Sequence, residues 1–140
     1  MIDGKLILHE AALTVTKQAT AGGNYIDFEV AAPNLGKGRA IEIIGVAETA
    51  IVIPSTGTLV FAIQESDDNG DSDSYATMDG CTSETYAGSG TAIKTIAAGT
   101  ELFRFVLPWA HERYIRLLYT VGTANLTTGG TTMVWLQPRS

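Results

Sequence analysis

The chain has little of what most catalytic and exported proteins depend on. Cys81 is the only cysteine among 140 residues, so no disulfide can form within the chain and the fold does not rest on a cystine framework. A single thiol also suits a protein made in a reducing cytosol. Basic residues are scarce, nine Lys and Arg against fifteen Asp and Glu, for a formal charge of −6. That balance speaks against nucleic acid as a partner, because phosphate binding needs clustered cations to release counterions. It speaks equally against a basic membrane-surface patch. Long apolar runs are missing too. Leu6-Ile7-Leu8 ends at His9 and Glu10, too short for a signal-peptide core, and nothing reaches the ~18 apolar residues of a membrane span. The expectation is a soluble protein that is not exported.

What is present is apolar and patterned. Apolar residues make up 45% and charged residues 17%, enough hydrophobic surface for an ordered domain. Residues 1–140 are read as one domain, with an N-terminal arm within 1–20 and a long polar surface loop across 66–90. The densest patterning runs from Glu101 to Val121. Phe103, Phe105 and Leu107 alternate with Leu102, Arg104 and Val106; after Pro108, Ile115, Leu117, Tyr119 and Val121 alternate with Tyr114, Arg116, Leu118 and Thr120. A period of two is strand spacing, and the sequence predicts a hairpin whose tip carries His111-Glu112-Arg113. Further strands are predicted over Tyr25–Val30, Arg39–Ala47, Leu59–Glu65 and Thr131–Gln137, with weaker signals at Lys5–Leu8, Ala12–Thr16, Ile51–Ile53 and Thr91–Ala97. Ala21-Gly22-Gly23-Asn24 and Pro33 to Gly38 read as turn and loop. Seven to nine short strands, with turn signals about every 8 to 12 residues and no amphipathic helix, predict an all-β sandwich or barrel, and the periodicity does not choose between an immunoglobulin-like sandwich and a jelly roll.

Residue types with chemistry do not assemble into a motif. Asp67, Asn69, Asp71 and Asp73 alternate as in a calcium loop, but Ser72 stands at the sixth position and Met78 at the twelfth, where Gly and Glu belong. A solvated loop is preferred, and no metal is assigned. His9 and His111 are too few to fill a first shell with a carboxylate and are expected at the surface or rim. Cys81 has no cationic neighbour in sequence to activate it, no serine lies in Gly-x-Ser-x-Gly, and Gly36-Lys37-Gly38-Arg39 lacks the P-loop ending. No catalytic residue, cofactor or enzyme activity is expected. Tyr114, Arg116 and Leu118 share one face of their strand. They read either as an Arg stem laid over apolar surface or as subunit-interface anchors.

Ile26-Asp27-Phe28, Arg39-Ala40-Ile41-Glu42-Ile43, the run Leu59 to Asp67 and, most specifically, Arg113-Tyr114-Ile115-Arg116-Leu117-Leu118-Tyr119-Thr120-Val121 after Pro108 resemble the Bbp16-like capsid cement proteins of tailed bacteriophages. The resemblance implies a jelly-roll β-sandwich of about eight antiparallel strands. It implies a homotrimer on the outer surface of a phage head, bridging neighbouring major capsid proteins and made in the host cytoplasm. A carbohydrate- or receptor-binding jelly roll of a virion is the alternative, with Trp109 at the predicted hairpin tip as its aromatic contact.

Overall fold

The computed structural model describes residues 6–28, 40–108 and 110–138. The loop predicted over Pro33 to Gly38 and the candidate Trp109 lie outside these residues. Eleven strands run in order: β1 (Ile7–Ala12), β2 (Ala19–Asp27), β3 (Ile41–Ala47), β4 (Ile51–Ile53), β5 (Thr58–Ser66), β6 (Ala76–Thr82), β7 (Tyr86–Ala87), β8 (Lys94–Ile96), β9 (Glu101–Val106), β10 (Tyr114–Gly122) and β11 (Thr131–Pro138). Among the described residues there is no α-helix.

The first sheet has the order β1-β11-β3-β9, and the second β2-β10-β5-β6 with β7 beside β5; β4 and β8 form a small ribbon. Every pairing is antiparallel. Setting the short β4, β7 and β8 aside leaves eight framework strands. The first of these pairs the eighth, the second the seventh, the third the sixth and the fourth the fifth, with alternate pairs in opposite sheets. This is a long hairpin rolled over itself, the topology of a jelly roll.

That topology corrects the hairpin expected over Glu101 to Val121. β9 pairs β3 in the first sheet, whereas β10 lies in the second between β2 and β5. On β10 the alternation holds: Ile115, Leu117, Tyr119 and Val121 are buried. On β9 it breaks at Leu102, which the period placed with Arg104 and Val106 but which is buried alongside Phe103, where the register against β3 slips. Alternation reports which face of a strand is buried and is silent on which strand lies alongside. Pro108 therefore marks a crossing from one sheet to the other instead of a tight turn.

Two other expectations change. Ala21 to Asn24, read as a turn, lies inside β2, where the register against β10 slips between Arg116 and Leu118. Glycine suits the slip, since a Cβ on Gly22 would come 3.1 Å from Leu117 Cβ and 3.3 Å from His9 Nδ1, and these neighbours would have to give by a few tenths of an ångström. The polar stretch 66–90 contains β6 and β7 and sends Met78, Cys81 and Tyr86 into the core. Likewise β1 and the start of β2 occupy part of the stretch read as an arm, with Leu8 and Leu13 buried.

The core lies between the sheets around Phe61, whose ring centroid is 5.6 Å from Phe103, 6.3 Å from Tyr86 and 6.4 Å from Tyr119. Tilted and edge-on arrangements at these separations suit aromatic quadrupoles. Gly45 faces Phe103 across the β3–β9 pair, and a Cβ there would lie 2.5 Å from the ring. Its missing side chain is the space the ring occupies.

Candidate functional site

The residues with reactive side chains are placed apart from one another in different local settings. His9 is not at the rim. The bulge between Ile7 and His9 in β1 turns both Leu8 and His9 inward, where His9 is buried with its ring centroid 5.9 Å from that of Tyr119. Its Nδ1 accepts the Gly23 N–H at 3.2 Å, so the proton sits on Nε2, which is enclosed with no partner among the described residues. Burial pushes the His9 pKa down and keeps the ring neutral. His111 is also buried, 4.6 Å from the Phe28 ring, with Nδ1 2.8 Å from the Glu112 carbonyl oxygen. Cys81 points inward from β6, and burial raises its thiol pKa, the opposite of what a nucleophile needs.

The acidic loop between β5 and β6 is organised by Asp68 and Ser66. Asp68 accepts the N–H groups of Ser72 at 2.7 Å and Asp73 at 3.0 Å, and these bonds hold its pKa below the usual range. Ser66, fully buried, donates to the Asp73 carbonyl at 2.6 Å and accepts the Gly70 N–H at 2.8 Å. The alternating ligand set read from sequence does not converge. Asn69 instead accepts the Tyr75 hydroxyl at 2.6 Å, and Asp67 and Asp73 are joined by Glu112 from the β9–β10 connection, with carboxylate oxygens within 4.8 Å of one another. Crowding opposes full ionisation of the three carboxylates: the hydrogen bond to Asp73, burial and the negative neighbours push Glu112 up to about 7, while the same hydrogen bond holds Asp73 low.

The outer face of the second sheet brings Tyr114, Arg116 and Leu118 together as the sequence implied. Arg116 lies 3.9 Å from the centroid of the Tyr75 ring and donates from Nε to Gln64 Oε1 at 3.0 Å. Arg113 lies 5.0 Å from the centroid of the Tyr114 ring and forks onto Asp27 at 2.6 and 2.9 Å. Tyr25, 53% exposed, meets Tyr114 edge-on at 5.7 Å. Cation–π contacts of this kind hold long side chains in place before any partner arrives. Leu118 lies beyond them, paired with Ala21 and Ala62. Ala62 is buried yet is not part of the core cluster, so it is covered from the outer side.

Sequence reasoning assigned no site residue to the outer face of the first sheet. Thr132, Val134 and Leu136 turn inward on β11, leaving Met133 and Trp135 outside and half-buried. Across the sheet, Trp135 pairs Ile7 and Ile44, and Met133 pairs Val46. Ile44 is only 2% exposed and still lies outside the core cluster. It is covered from the outer side, between Trp135 on one neighbouring strand and Arg104 on the other. Arg104 reaches Glu42 at 3.1 Å and Glu101 at 2.7 Å along this edge, and both hydrogen bonds raise its pKa. The available signal was the Trp-Met alternation on a strand whose other face is equally apolar, which leaves the choice of face to the neighbours.

The fold and these faces define an antiparallel jelly roll that carries two structured surfaces on opposite sides of one core. The sequence matches the family model Bbp16 across residues 9–134, nearly the whole domain, and the chain belongs to the Bbp16 family. No curated protein matches it.

Proposed function

We propose that this chain is a capsid cement protein of a tailed bacteriophage, which trimerises on the outer surface of the head and stabilises contacts between major capsid proteins. The observation that carries the reading is the pair of structured outer faces, one per sheet, each holding bulky or small apolar residues outside the core. A body with two such faces can touch two neighbours at once, which is what bridging requires. Tyr114, Arg116 and Leu118 form the face assigned to self-association, where Tyr and Arg serve as preordered anchors. Binding through several copies adds avidity without a large single contact. The role is mechanical and non-enzymatic: the protein adds interface area to a shell under pressure from its packaged genome.

The test is to compare heads with and without the protein. Decorated heads are expected to resist disruption by heat and pressure better than bare ones, and the free protein to sediment as a trimer. Equal resistance of the two kinds of head would refute the reading. The exposed Tyr25 and the neighbouring Tyr75 and Tyr114 favour a glycan-binding module as the second reading, since sugars stack on aromatic faces. Arginines already lie over the Tyr75 and Tyr114 rings, which argues for the first. Glycan binding abolished by Tyr25→Ala would reverse that order.

A further inference from the structure

We infer that the outer face of the first sheet docks the shell protein, and that the complementary surface on the shell has an apolar centre and a basic rim. The identity of the partner rests on the cement reading; the location and chemistry of the face do not. The centre is apolar: Met133, Trp135, Val46, Ile7 and the covered Ile44 occupy adjacent positions on three neighbouring strands. None of them belongs to the core cluster or to the partly buried residues packed against it. Trp and Met are enriched at the buried centres of protein interfaces. The indole N–H of Trp135 is satisfied by Gln137 Oε1 at 2.9 Å, so the ring is held in place and its burial by a partner leaves no donor stranded.

The rim decides the occupant. Glu10 lies opposite Met133 on β1, Glu101 opposite Val46 on β9, and Glu42 with Arg104 flanks Ile44. Among the described residues, three carboxylates against one guanidinium leave this face with two negative charges in excess. A second copy laid face to face would gather six carboxylates around two guanidinium groups, each copy already carrying −6 overall. Like charges brought together at an interface oppose docking, whereas Lys and Arg around an apolar patch satisfy both the centre and the rim. Size points the same way. Four strands about 4.8 Å apart and some 20 Å long present roughly 400 Å². That is about half the ~800 Å² per partner of a stable binary interface. One such contact holds weakly, and several copies on a shell hold firmly.

Binding of the full-length chain to purified heads that lack it, measured by co-sedimentation over a range of salt, tests the inference. Wild-type protein is expected to bind, with affinity falling as salt rises. Met133→Asp is expected to weaken binding at least tenfold, and the Glu10→Lys/Glu101→Lys pair several-fold with loss of the salt dependence. Lys94→Ala, exposed on the β4–β8 ribbon and on neither sheet face, is expected to stay within twofold. Wild-type protein that fails to bind heads refutes the cement reading itself. Wild-type protein that binds while both first-sheet variants bind equally well refutes the docking face alone. Dissociation of the protein's own oligomer by Met133→Asp, with head binding per protomer unchanged, assigns the face to a second copy and overturns the inference. The exposed Glu10→Lys/Glu101→Lys pair keeps the test decisive if Met133→Asp does not fold.

Discussion

The two outer faces of the sandwich are built on different principles. On the second sheet, order comes from polar and aromatic side chains locking one another: Arg116 on Tyr75 and Gln64, Arg113 on Asp27 and Tyr114. On the first sheet it comes from apolar side chains lying over Ile44, with charge confined to the margin. The first kind of face keeps long side chains in fixed conformations while leaving their charges wet. The second leaves apolar area whose stabilisation is completed only when something covers it.

The largest effects are expected where inner and outer residues of one strand are set against each other. Leu117→Ala on β10 removes a fully buried side chain and is expected to cost about 2–5 kcal/mol in urea unfolding. Leu118→Ala, one residue on and half-buried on the outer face, is expected to cost below about 1.5 kcal/mol. Equal costs would mean that the outer face is as closed as the core. Ile44→Ala sharpens the same contrast on the first sheet. Ile44 is buried from outside, so a loss of roughly 2 kcal/mol is expected, at the low end of the range because the surface neighbours above it can collapse.

Smaller effects separate the sheets by pH. Burial holds the His9 pKa below 6.5, so the unfolded chain takes up the proton first; stability is full above pH 6.5 and declines as the pH falls below it. His9→Asn is expected to flatten that decline in thermal melts. Glu112 has the opposite sign. With a folded pKa of about 7 against an ordinary 4.5, its contribution is full below pH 4.5 and is lost as the pH rises through 7. Glu112→Gln is expected to remove this second slope and leave the first. A variant that changed both slopes would show the two groups to be linked. Smallest of all, Arg116→Lys keeps the charge but loses the planar stack on Tyr75, for an expected cost of no more than about 1 kcal/mol.

Much of this molecule was legible in the chain because alternation is a local property. Ile115, Leu117, Tyr119 and Val121 were read as one face of a strand and are buried; Tyr114, Arg116 and Leu118 were read as sharing the other face and do. The readings that failed concern relations between distant segments. A glycine pair inside a bulged strand looks like a turn until the register against β10 is known. His9 looks like a rim residue until a bulge rotates it into the core beside Tyr119. The acidic run, read as a solvated loop, gave no sign that Asp67 and Asp73 would be joined by Glu112, 39 positions beyond Asp73.

The sequence by itself determined the class: strands throughout, one apolar core, no cystine framework and an acidic surface, because side-chain period and composition are written residue by residue. Only the tertiary structure decided which strands became neighbours. The antiparallel nesting of eight strands put β9 and β10 in different sheets and turned the expected hairpin into a crossing. It also decided that Met133 and Trp135 face outward, since Thr132, Val134 and Leu136 are equally able to fill the interior and the packing across the sandwich selects them.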